Sequence, residues 1–522
     1  MLRSKKSLIL TLMLTVVFVL AISSSLYAAE KILVIGMNTS PIVSLDPAKA
    51  YEFEGSWILD NIYDKLVRFK PGSASEIEPA IAESWEFSDK TITFTIREGA
   101  KFSNGDPVDA EAVAYSLKRV VKLAQAPSWV ITQFGITEDS IKAIGNKVQI
   151  TMDKAYSPSL VLSCMTYSVT GTVNPKIAKE HDKEGDMGMA YLTEHSSGSG
   201  PYVLVSWERN QKIIFELNKY YWGPKPEIDK IVIVDIPESS SQLLQLKGGT
   251  IDLAWNLEQD QIPDVEKTKG LYALSKPQFK LIYFAMNGQN PPTDNVLVRR
   301  AVKSAIDTEA IMKAIGGGVI ELHTFIPKGM FAYYDGEEVP YNPEKAKELL
   351  AEAGYPNGFE ITLTVPDYLS TEGTVVKSYL EQVGIKTNLE VIAYTTLLGK
   401  YREQGLQMVI ARWGADYADP DANAKPFAHC RTTGPEATVK QLAWRNAYAN
   451  PEMTDMVEKA AFIQDRDERE KVYLELQKKW QSEGAFKILY QMSIQLGISD
   501  RVGNFILNEL TQTPWELITL KD

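Results

Sequence analysis

The chain has 522 residues, of which 44% are hydrophobic and 23% charged, an ordinary globular composition that excludes a disordered or fibrous protein. A chain of this length cannot be built around one small core, so we expect at least two lobes. The formal net charge of −12 argues against nucleic-acid binding, which requires a basic face.

The amino-terminal segment has the layout of a secretory signal peptide. Arg3, Lys5 and Lys6 precede an apolar run at 8–22, and small residues follow up to Ala29. The run is short for a transmembrane helix, so residues 1–29 are predicted to be removed on export, although an uncleaved anchor remains the alternative. No cysteine follows the run to carry a lipid. We therefore expect an exported, periplasmic protein that has no lipid anchor and does not itself span the membrane.

Short strands and helices alternate along the rest of the chain. Threonines alternate with Ile92, Phe94 and Ile96, which predicts a half-buried strand. Asp109 is a suitable cap for the helix that follows it. The continuous apolar run at 231–234 predicts a strand buried on both faces.

The second half continues the same pattern. A helix through 243–246 is expected to stop at the glycine pair 248–249, and a strand resumes at 251–253. Asn342-Pro343 and Asn450-Pro451 each open a helix, and Gly354 closes the first of these. Strands are predicted at 361–365 and 385–391. This order predicts an α/β fold with mixed sheets.

Signatures of catalysis and of cofactor binding are absent from the sequence. The four histidines do not form a metal-binding pair at helical spacing, and no serine lies in a nucleophile elbow. The glycine run at 316–318 lacks the lysine of a phosphate loop and is predicted to end a helix. We therefore predict no enzyme, no metal and no cofactor. Cys164 and Cys430 cannot form a disulfide framework or a zinc site.

Nine motifs in one order resemble those of a known family. They are SLDP at 44–47, EPAIAESW at 78–85, FTIREGAKFSNGDPV at 94–108, GSGPY at 198–202, NKYYW at 218–222, GGTID at 248–252, VRRAV at 298–302, PEKAKELLAEAGY at 343–355 and ADY at 415–417. Together they resemble the extracytoplasmic solute-binding proteins of the peptide and nickel class, which serve ABC transporters. The resemblance covers nearly the whole mature chain.

The resemblance implies a two-lobed periplasmic-binding-protein fold with mixed sheets, two hinge crossings and an extra subdomain inserted in lobe one. Lobe one would comprise 30–66, 194–280 and 491–522, the inserted subdomain 67–193, and lobe two 281–490. Trp85, Phe94 and the turn at 104–107 would build the inserted subdomain rather than contact ligand.

The resemblance also places ligand-binding residues in lobe one. Tyr51, Glu52 and Phe53 follow the SLDP motif and match a ligand-facing edge in peptide-binding relatives. Gly200 and Tyr202 belong to the loop that returns the chain to lobe one. The glycines of this loop permit close backbone approach to a ligand, but they fit a simple turn equally well.

In lobe two, the resemblance points to the segment that starts at Trp413. Asp416 matches the aspartate that holds the α-amino group of a bound peptide in the relatives, and a turn-capping aspartate is the alternative. Trp413 would pack on the ligand or in the core, and Tyr417 completes the motif. Asp419 and Asp421 are expected to be loop residues.

The basic group that would hold the far carboxylate of a peptide is not where the relatives place it. Arg412, directly before Trp413, is one candidate, and His429 and Arg431 are two others in the following segment. The sequence does not choose among these three, so ligand length stays open.

The function implied by the resemblance is capture of a small peptide, di- or oligopeptide, in a closing cleft and its delivery to a membrane permease. Main-chain hydrogen bonds would hold the peptide, and closure would strengthen them by excluding water. The chain is expected to be a monomer, and the permease and its ATPase must be separate polypeptides. Alternatives are the same fold with a metal chelate or an oligosaccharide as ligand, and an exported hydrolase. Because the two cysteines fall in different parts of this layout, they are expected to stay unpaired.

Overall fold

The structure is a computed structural model that describes residues 30–336 and 339–521, so the predicted signal peptide at 1–29 lies outside the described residues. Its strands are β1 (Ile32–Met37), β2 (Val67–Phe69), β3 (Ile77–Pro79), β4 (Ala82–Ser88), β5 (Thr91–Ile96), β6 (Ile141–Ile144), β7 (Lys147–Thr151), β8 (Tyr202–Glu208), β9 (Lys212–Leu217), β10 (Lys230–Asp235), β11 (Leu253–Trp255), β12 (Leu271–Met286), β13 (Phe359–Pro366), β14 (Ile385–Ile392), β15 (Met408–Gly414), β16 (Phe486–Ser499), β17 (Val502–Gly503) and β18 (Thr519–Leu520).

Helices cover the faces of the sheets and fill the connections. They are α1 (Phe53–Ile62), α2 (Ala110–Leu123), α3 (Trp129–Thr132), α4 (Pro158–Met165), α5 (Pro175–Glu180), α6 (Met189–Leu192), α7 (Ser239–Lys247), α8 (Ile262–Lys267), α9 (Val296–Ala305), α10 (Thr308–Ala314), α11 (Pro343–Glu352), α12 (Ser370–Gln382), α13 (Tyr394–Arg402), α14 (Asp421–Ala428), α15 (Leu442–Arg445), α16 (Pro451–Ala460) and α17 (Arg466–Glu483). The fold is therefore mixed α/β, as predicted.

One mixed sheet organises the described chain. Ten strands lie in the order β14-β13-β15-β12-β16-β11-β1-β10-β9-β8, and a separate four-stranded sheet has the order β4-β5-β7-β6. The strands β12 and β16 are antiparallel neighbours in the middle of the large sheet. The four-stranded sheet falls within the stretch 67–193 that was expected to form an inserted subdomain.

The two long central strands connect the halves of the large sheet. Their pairing begins at Leu271 opposite Ser499, shifts in register between Pro277 and Leu281, and ends at Ala285 opposite Phe486. The register shift interrupts regular pairing where the chain passes from one half to the other. The two crossings expected near 281 and 491 fall inside these strands. The residue boundaries of the lobes stay a prediction.

Separate apolar cores lie on the two halves. One core packs α1 against β1 and β10 and includes Trp57 and Trp515. A second core packs α9, α11 and α12 against β13, β14 and β15. A third contains Phe94 of the four-stranded sheet together with Phe427 and Trp480 of the carboxyl-terminal half. The four-stranded subdomain therefore also packs against the carboxyl-terminal half of the molecule.

The helix starts expected from local sequence are confirmed. Side chains of Asp109, Asn342 and Asn450 accept hydrogen bonds from the backbone amides of Ala112, Lys345 and Met453, at 2.8, 2.8 and 3.1 Å. Helix α10 ends at Ala314, just before the glycine run at 316–318. A helix cap depends on residues within four positions of one another, so it can be predicted from the local sequence.

Two local expectations need correction. The strand β10 is not buried on both faces, because Ile231 and Ile233 are buried while Val232 and Val234 are partly exposed. The strand after α7 begins at Leu253 rather than at 251.

Two buried ion pairs fix parts of the scaffold, and one of them involves a motif aspartate. Asp46 of the SLDP motif accepts two hydrogen bonds from Arg119 of α2, at 2.7 and 2.6 Å, and both side chains are buried. Asp419 is paired in the same bidentate way with Arg469 of α17 at 2.6 Å. In such bidentate pairs each buried charge is balanced by its partner. Asp419 is therefore a core ion-pair residue and not merely a loop residue.

Cys164 and Cys430 are both free thiols in the structure, and both are buried. Within residues 30–336 and 339–521, no helix is both long enough and apolar enough to cross a bilayer. The same ranges contain no group of three or more histidine, cysteine, aspartate or glutamate side chains arranged to hold a metal ion.

Candidate functional site

Two adjoining cavities lie along α1, and the first of them is lined from both halves of the molecule. The first, here called the anchor cavity, has a volume of about 360 Å³ and is lined by Ser56 and Asp60 of α1, by Tyr167, and by Asp416 after β15. The second, here called the lysine cavity, has a volume of about 250 Å³ and is lined by Glu54 of α1 and by Gln278 and Lys280 of β12. Phe53 and Trp57 line both cavities.

Asp416 is a partly buried carboxylate in the wall of the anchor cavity. It forms no ion pair with any described residue. Burial raises its pKa to about 7, and a hydrogen bond from the Tyr51 hydroxyl offsets part of that rise. A carboxylate whose pKa is raised mainly by burial lacks a cation to stabilise its charge. The anchor cavity is therefore suited to bind a cationic group.

A short relay of aromatic donors supports this carboxylate. The indole nitrogen of Trp129 donates to the hydroxyl oxygen of Tyr51 at 2.8 Å, and that hydroxyl donates to Asp416. Burial and the charge of Asp416 together raise the pKa of Tyr51. Tyr167 stands edge-on to Tyr51, with ring centroids 6.4 Å apart, and its pKa is also raised by burial and by Asp416. The relay orients the carboxylate without neutralising it.

The other acid of the anchor cavity is already paired. Asp60 accepts a hydrogen bond from Lys65 at 2.5 Å and forms an ion pair with it. Gln512 also hydrogen-bonds to Asp60, and burial raises the pKa of this carboxyl. Because Asp60 has its own cation, Asp416 is the acid of this cavity with unmet charge among the described lining residues.

Phe53 connects the two halves of the molecule. Its ring lies against β15 at Gly414, where an added Cβ would come within 2.8 Å of the ring carbon Cζ. Its face also carries the ammonium of Lys280, 4.0 Å from the ring centroid. The glycine is required by this close approach, and Phe53 forms a shared wall of both cavities.

Glu52, in contrast, folds back on its own segment. It is the cap residue of α1, and its carboxylate accepts a hydrogen bond from the Tyr51 amide at 3.2 Å. It lines neither cavity. Of the three predicted residues at 51–53, Tyr51 and Phe53 reach the site directly and Glu52 stabilises the turn before the helix.

The loop at 198–202 packs on the carboxyl end of α1. The Gly200 amide donates to Ile62 at 3.3 Å, and an added Cβ at Gly200 would lie 2.7 Å from the Asn61 carbonyl oxygen. Tyr202 is buried in the amino-terminal core, where its hydroxyl donates to the Ile228 carbonyl at 3.1 Å. Neither residue lines the two cavities. This geometry fits the alternative in which the loop is a simple turn.

The motif neighbours of Asp416 belong largely to the core. Tyr417 is buried and donates to Asp421 at 2.9 Å. Trp413 packs edge-on to Phe427, with ring centroids 6.4 Å apart. The Trp413 indole N–H is buried and has no hydrogen-bond partner. These two aromatic residues hold the segment that carries Asp416.

The three predicted basic candidates do not line either cavity. Arg431 is bonded to Glu458 at 2.6 Å and paired with Asp455 at 2.7 Å, and His429 shares Glu458 at 2.9 Å. Arg412 is exposed, with its guanidinium 5.8 Å from the Tyr368 ring centroid.

Sequence reasoning missed Lys280, Trp57, Trp129 and Tyr167. One signal was present for Lys280, because it is the charged residue in the run Phe279-Lys280-Leu281-Ile282-Tyr283 of a strand that is otherwise apolar there. A charge at such a position calls for a partner or a function. The aromatic residues carry no comparable local signal.

Comparison with known proteins agrees with this architecture. The family model for bacterial extracellular solute-binding proteins, family 5 (middle), matches residues 76–435. The chain is 27% identical over 507 residues to the probable D,D-dipeptide-binding periplasmic protein DdpA of Escherichia coli K12, with 94% of each chain covered. It is 28% identical over 444 residues to heme-binding protein A of Haemophilus influenzae, covering 80% of this chain and 79% of that one.

A solved structure gives the same result for the fold. The periplasmic binding protein DppA of Helicobacter pylori, in complex with the peptide STSA, superposes with a TM-score of 0.77 at 26% identity, covering 94% of this chain and 98% of that one. The nine motifs, the two-lobed fold and the family match over most of the described residues agree. This chain belongs to the family 5 bacterial extracellular solute-binding proteins.

Proposed function

We propose that this protein captures a small peptide with a free amino terminus and delivers it to the permease of an ABC importer. The observation that carries the proposal is Asp416, a partly buried carboxylate without a cation in a cavity between the lobes. A protonated α-amino group supplies the missing positive charge at neutral pH. The relatives named for dipeptide binding and crystallised with a peptide support the same ligand class.

The heme-binding relative represents the main rival ligand class. A heme ligand would be expected to find an axial side chain such as histidine in the cleft. None of His181, His195, His323 and His429 lines the two cavities described here. Asp416 instead lines the anchor cavity without an ion pair to any described residue, which favours a ligand that carries an ammonium group.

In this proposal the protein works as an exported, monomeric carrier without a lipid anchor and without catalytic activity. The peptide's ammonium pairs with Asp416 while the lobes close over it. The closed form docks on the membrane permease, and a separate ATPase drives transport. Support for this cycle comes from the family match, from the two crossing strands and from the site between the lobes.

The test begins with native mass spectrometry of the purified protein to identify the masses that accompany it. Titration calorimetry then compares wild type and Asp416→Asn, each with the free and the amino-acetylated form of the identified peptide. Either change leaves one buried charge unpaired, so each should weaken binding by roughly 30- to 4,000-fold. The two losses should not add, because both remove the same interaction.

Asp139→Asn serves as the matched control, since Asp139 is exposed in the four-stranded subdomain. It should bind as wild type does. Full additivity of the two losses, or equal binding of free and acetylated peptide, would contradict the role of Asp416. A co-purified metal chelate or sugar would point to the alternative ligand classes.

A further inference from the structure

The end of the β7–α4 connection lies against the connection between α16 and α17, so the four-stranded subdomain contacts the carboxyl-terminal half of the molecule there. The Ser157 amide donates to the Ala461 carbonyl oxygen at 2.9 Å. The side-chain amide of Gln464 donates to two backbone carbonyl oxygens of the subdomain, both at 3.2 Å. The two segments, 154–159 and 461–469, are here called the latch. Neither segment lines the anchor cavity or the lysine cavity.

Side chains strengthen the latch from both sides. The rings of Tyr156 and Phe462 have their centroids 5.0 Å apart, and the Lys154 ammonium lies 5.1 Å from the Phe462 ring centroid. Arg469 keeps its buried ion pair and also donates to the Ser159 hydroxyl oxygen at 3.0 Å. Aromatic pairs, cation–π contacts and charge-assisted hydrogen bonds each stabilise a contact modestly. Together with the backbone bonds they make the latch a specific contact.

The subdomain is held more firmly by the amino-terminal half. The buried bidentate pair of Asp46 and Arg119 joins the two, at 2.7 and 2.6 Å. Backbone amides of the subdomain at 103, 172 and 174 donate to carbonyl oxygens of the amino-terminal half at 3.0, 2.9 and 3.0 Å. Separating a buried ion pair is costly, whereas the side-chain amide bonds of the latch are exposed to solvent. When the two halves separate, the subdomain therefore stays with the amino-terminal half and the latch parts.

A free thiol lies on the helix that the first latch segment enters. Cys164 of α4 is fully buried and belongs to the same apolar core as Phe427 and Trp480 of the carboxyl-terminal half. Burial raises the pKa of this thiol, and the charged side chains that also shift it lie in the segment 416–425. The carboxyl-terminal half thus supplies part of its cover. A buried thiol reacts only when an opening exposes it, so Cys164 reports on the parting of the latch.

We propose that the latch holds the ligand-free protein closed in most molecules and parts whenever the two halves separate. The crossing strands β12 and β16 connect the halves through the chain itself, while the latch connects them through contacts that can be broken. Ligand then enters through a minor open population, so the latch governs the rate of entry without touching the ligand. The proposal concerns the protein alone and is independent of the ligand class.

The two native cysteines measure this opening. Ligand-free protein, prepared by unfolding in guanidinium and refolding, is treated with iodoacetamide, and peptide mass spectrometry after digestion gives a separate alkylation rate for each thiol. The unfolded protein in guanidinium gives the rate of a fully exposed thiol. Cys430 is the internal reference, because it is buried in a separate apolar cluster with Ala443 and Trp444. Cys164 of the folded wild type should react far more slowly than in the unfolded protein.

Variants on both sides of the latch assign the effect. Gln464→Ala and Phe462→Ala should each raise the Cys164 rate roughly 3- to 10-fold, as expected for the loss of hydrogen bonds or of an aromatic pair, and should leave the Cys430 rate unchanged. Ser159→Ala removes the acceptor of Arg469 from the subdomain side and should act in the same direction. Gln211→Ala changes an exposed glutamine of the β8–β9 turn and should react as wild type does.

Three results would overturn the proposal. If Cys164 of folded wild type reacts as fast as in the unfolded protein, the latch does not hold the ligand-free protein closed. If the Gln464→Ala and Phe462→Ala variants keep the wild-type rate, the latch contacts do not control the opening. If the Cys164 and Cys430 rates rise together, the substitutions loosen the whole fold instead of the latch. None of these results bears on the proposed function, which calorimetry of Asp416→Asn decides separately.

Discussion

Replacing Asp416 by asparagine should make the ligand-free protein more stable above pH 7 while it weakens ligand binding. The pKa of this carboxyl in the folded protein is about 7, against its ordinary value of 3.8. The folded state therefore holds the proton more tightly than the unfolded state does. The folded state is therefore not penalised by this group below the ordinary pKa of the carboxyl. As the pH rises towards and past 7, the free energy of unfolding falls because the folded protein must carry a buried carboxylate.

The magnitude follows from the shift. A rise of about three pKa units corresponds to at most about 4 kcal/mol, at 1.36 kcal/mol per unit. Asp416 is partly exposed, so solvent screening reduces this figure, and we expect about 1–3 kcal/mol at pH 8. At pH 5 the folded protein keeps the carboxyl protonated, so most of the penalty is absent. The stabilisation by asparagine should therefore grow between pH 5 and pH 8.

Urea unfolding of ligand-free wild type and Asp416→Asn at pH 5 and pH 8 measures this difference. Other titrating groups are common to both proteins and cancel in the comparison, and Asp139→Asn should show no such pH dependence. An asparagine variant that is less stable than wild type at pH 8 would refute the reasoning. That result would favour the alternative interpretation, in which Asp416 caps a turn and serves folding.

Two further predictions concern closure and the scaffold. Gly414→Ala should hinder closure, because its Cβ would meet Phe53 at 2.8 Å. Small-angle scattering should then show that saturating peptide shrinks the radius of gyration less than in wild type, and an equal decrease would contradict this contact. Asp46→Asn should lower the free energy of unfolding by about 3–5 kcal/mol, because it leaves the charge of Arg119 buried without its partner. Denaturant unfolding measures that loss, and a cost below 1 kcal/mol would contradict the assigned role of the pair.

Features encoded by neighbouring residues were predictable from the sequence. The caps at Asp109, Asn342 and Asn450 depend on a side chain and an amide three positions away. The family resemblance also led to the fold, because its motifs include scaffold residues such as Asp46. What Asp46 does there was not predictable, since its partner Arg119 is 73 positions further along the chain.

The chemistry of the cleft was only partly predictable, because its contacts also join residues that are far apart in the sequence. Asp416 was found by its motif, whereas Lys280 depends on the register of β12 against β15 and on the face that α1 turns towards them. The relay from Trp129 through Tyr51 joins residues 78 positions apart. Conversely, Gly200 and Tyr202 belong to a family motif, yet their contacts are with α1 and the core.

The distribution of charge and aromatic surface links binding to closure. Asp416 follows β15, and Phe53 and Trp57 of α1 line the same cavity from the amino-terminal half. When α1 covers this carboxylate, the dielectric around it falls, so an unpaired charge becomes more costly and a paired one more favourable. If Asp416 binds an ammonium group as proposed, a ligand without one would leave this carboxylate unpaired and would therefore oppose closure.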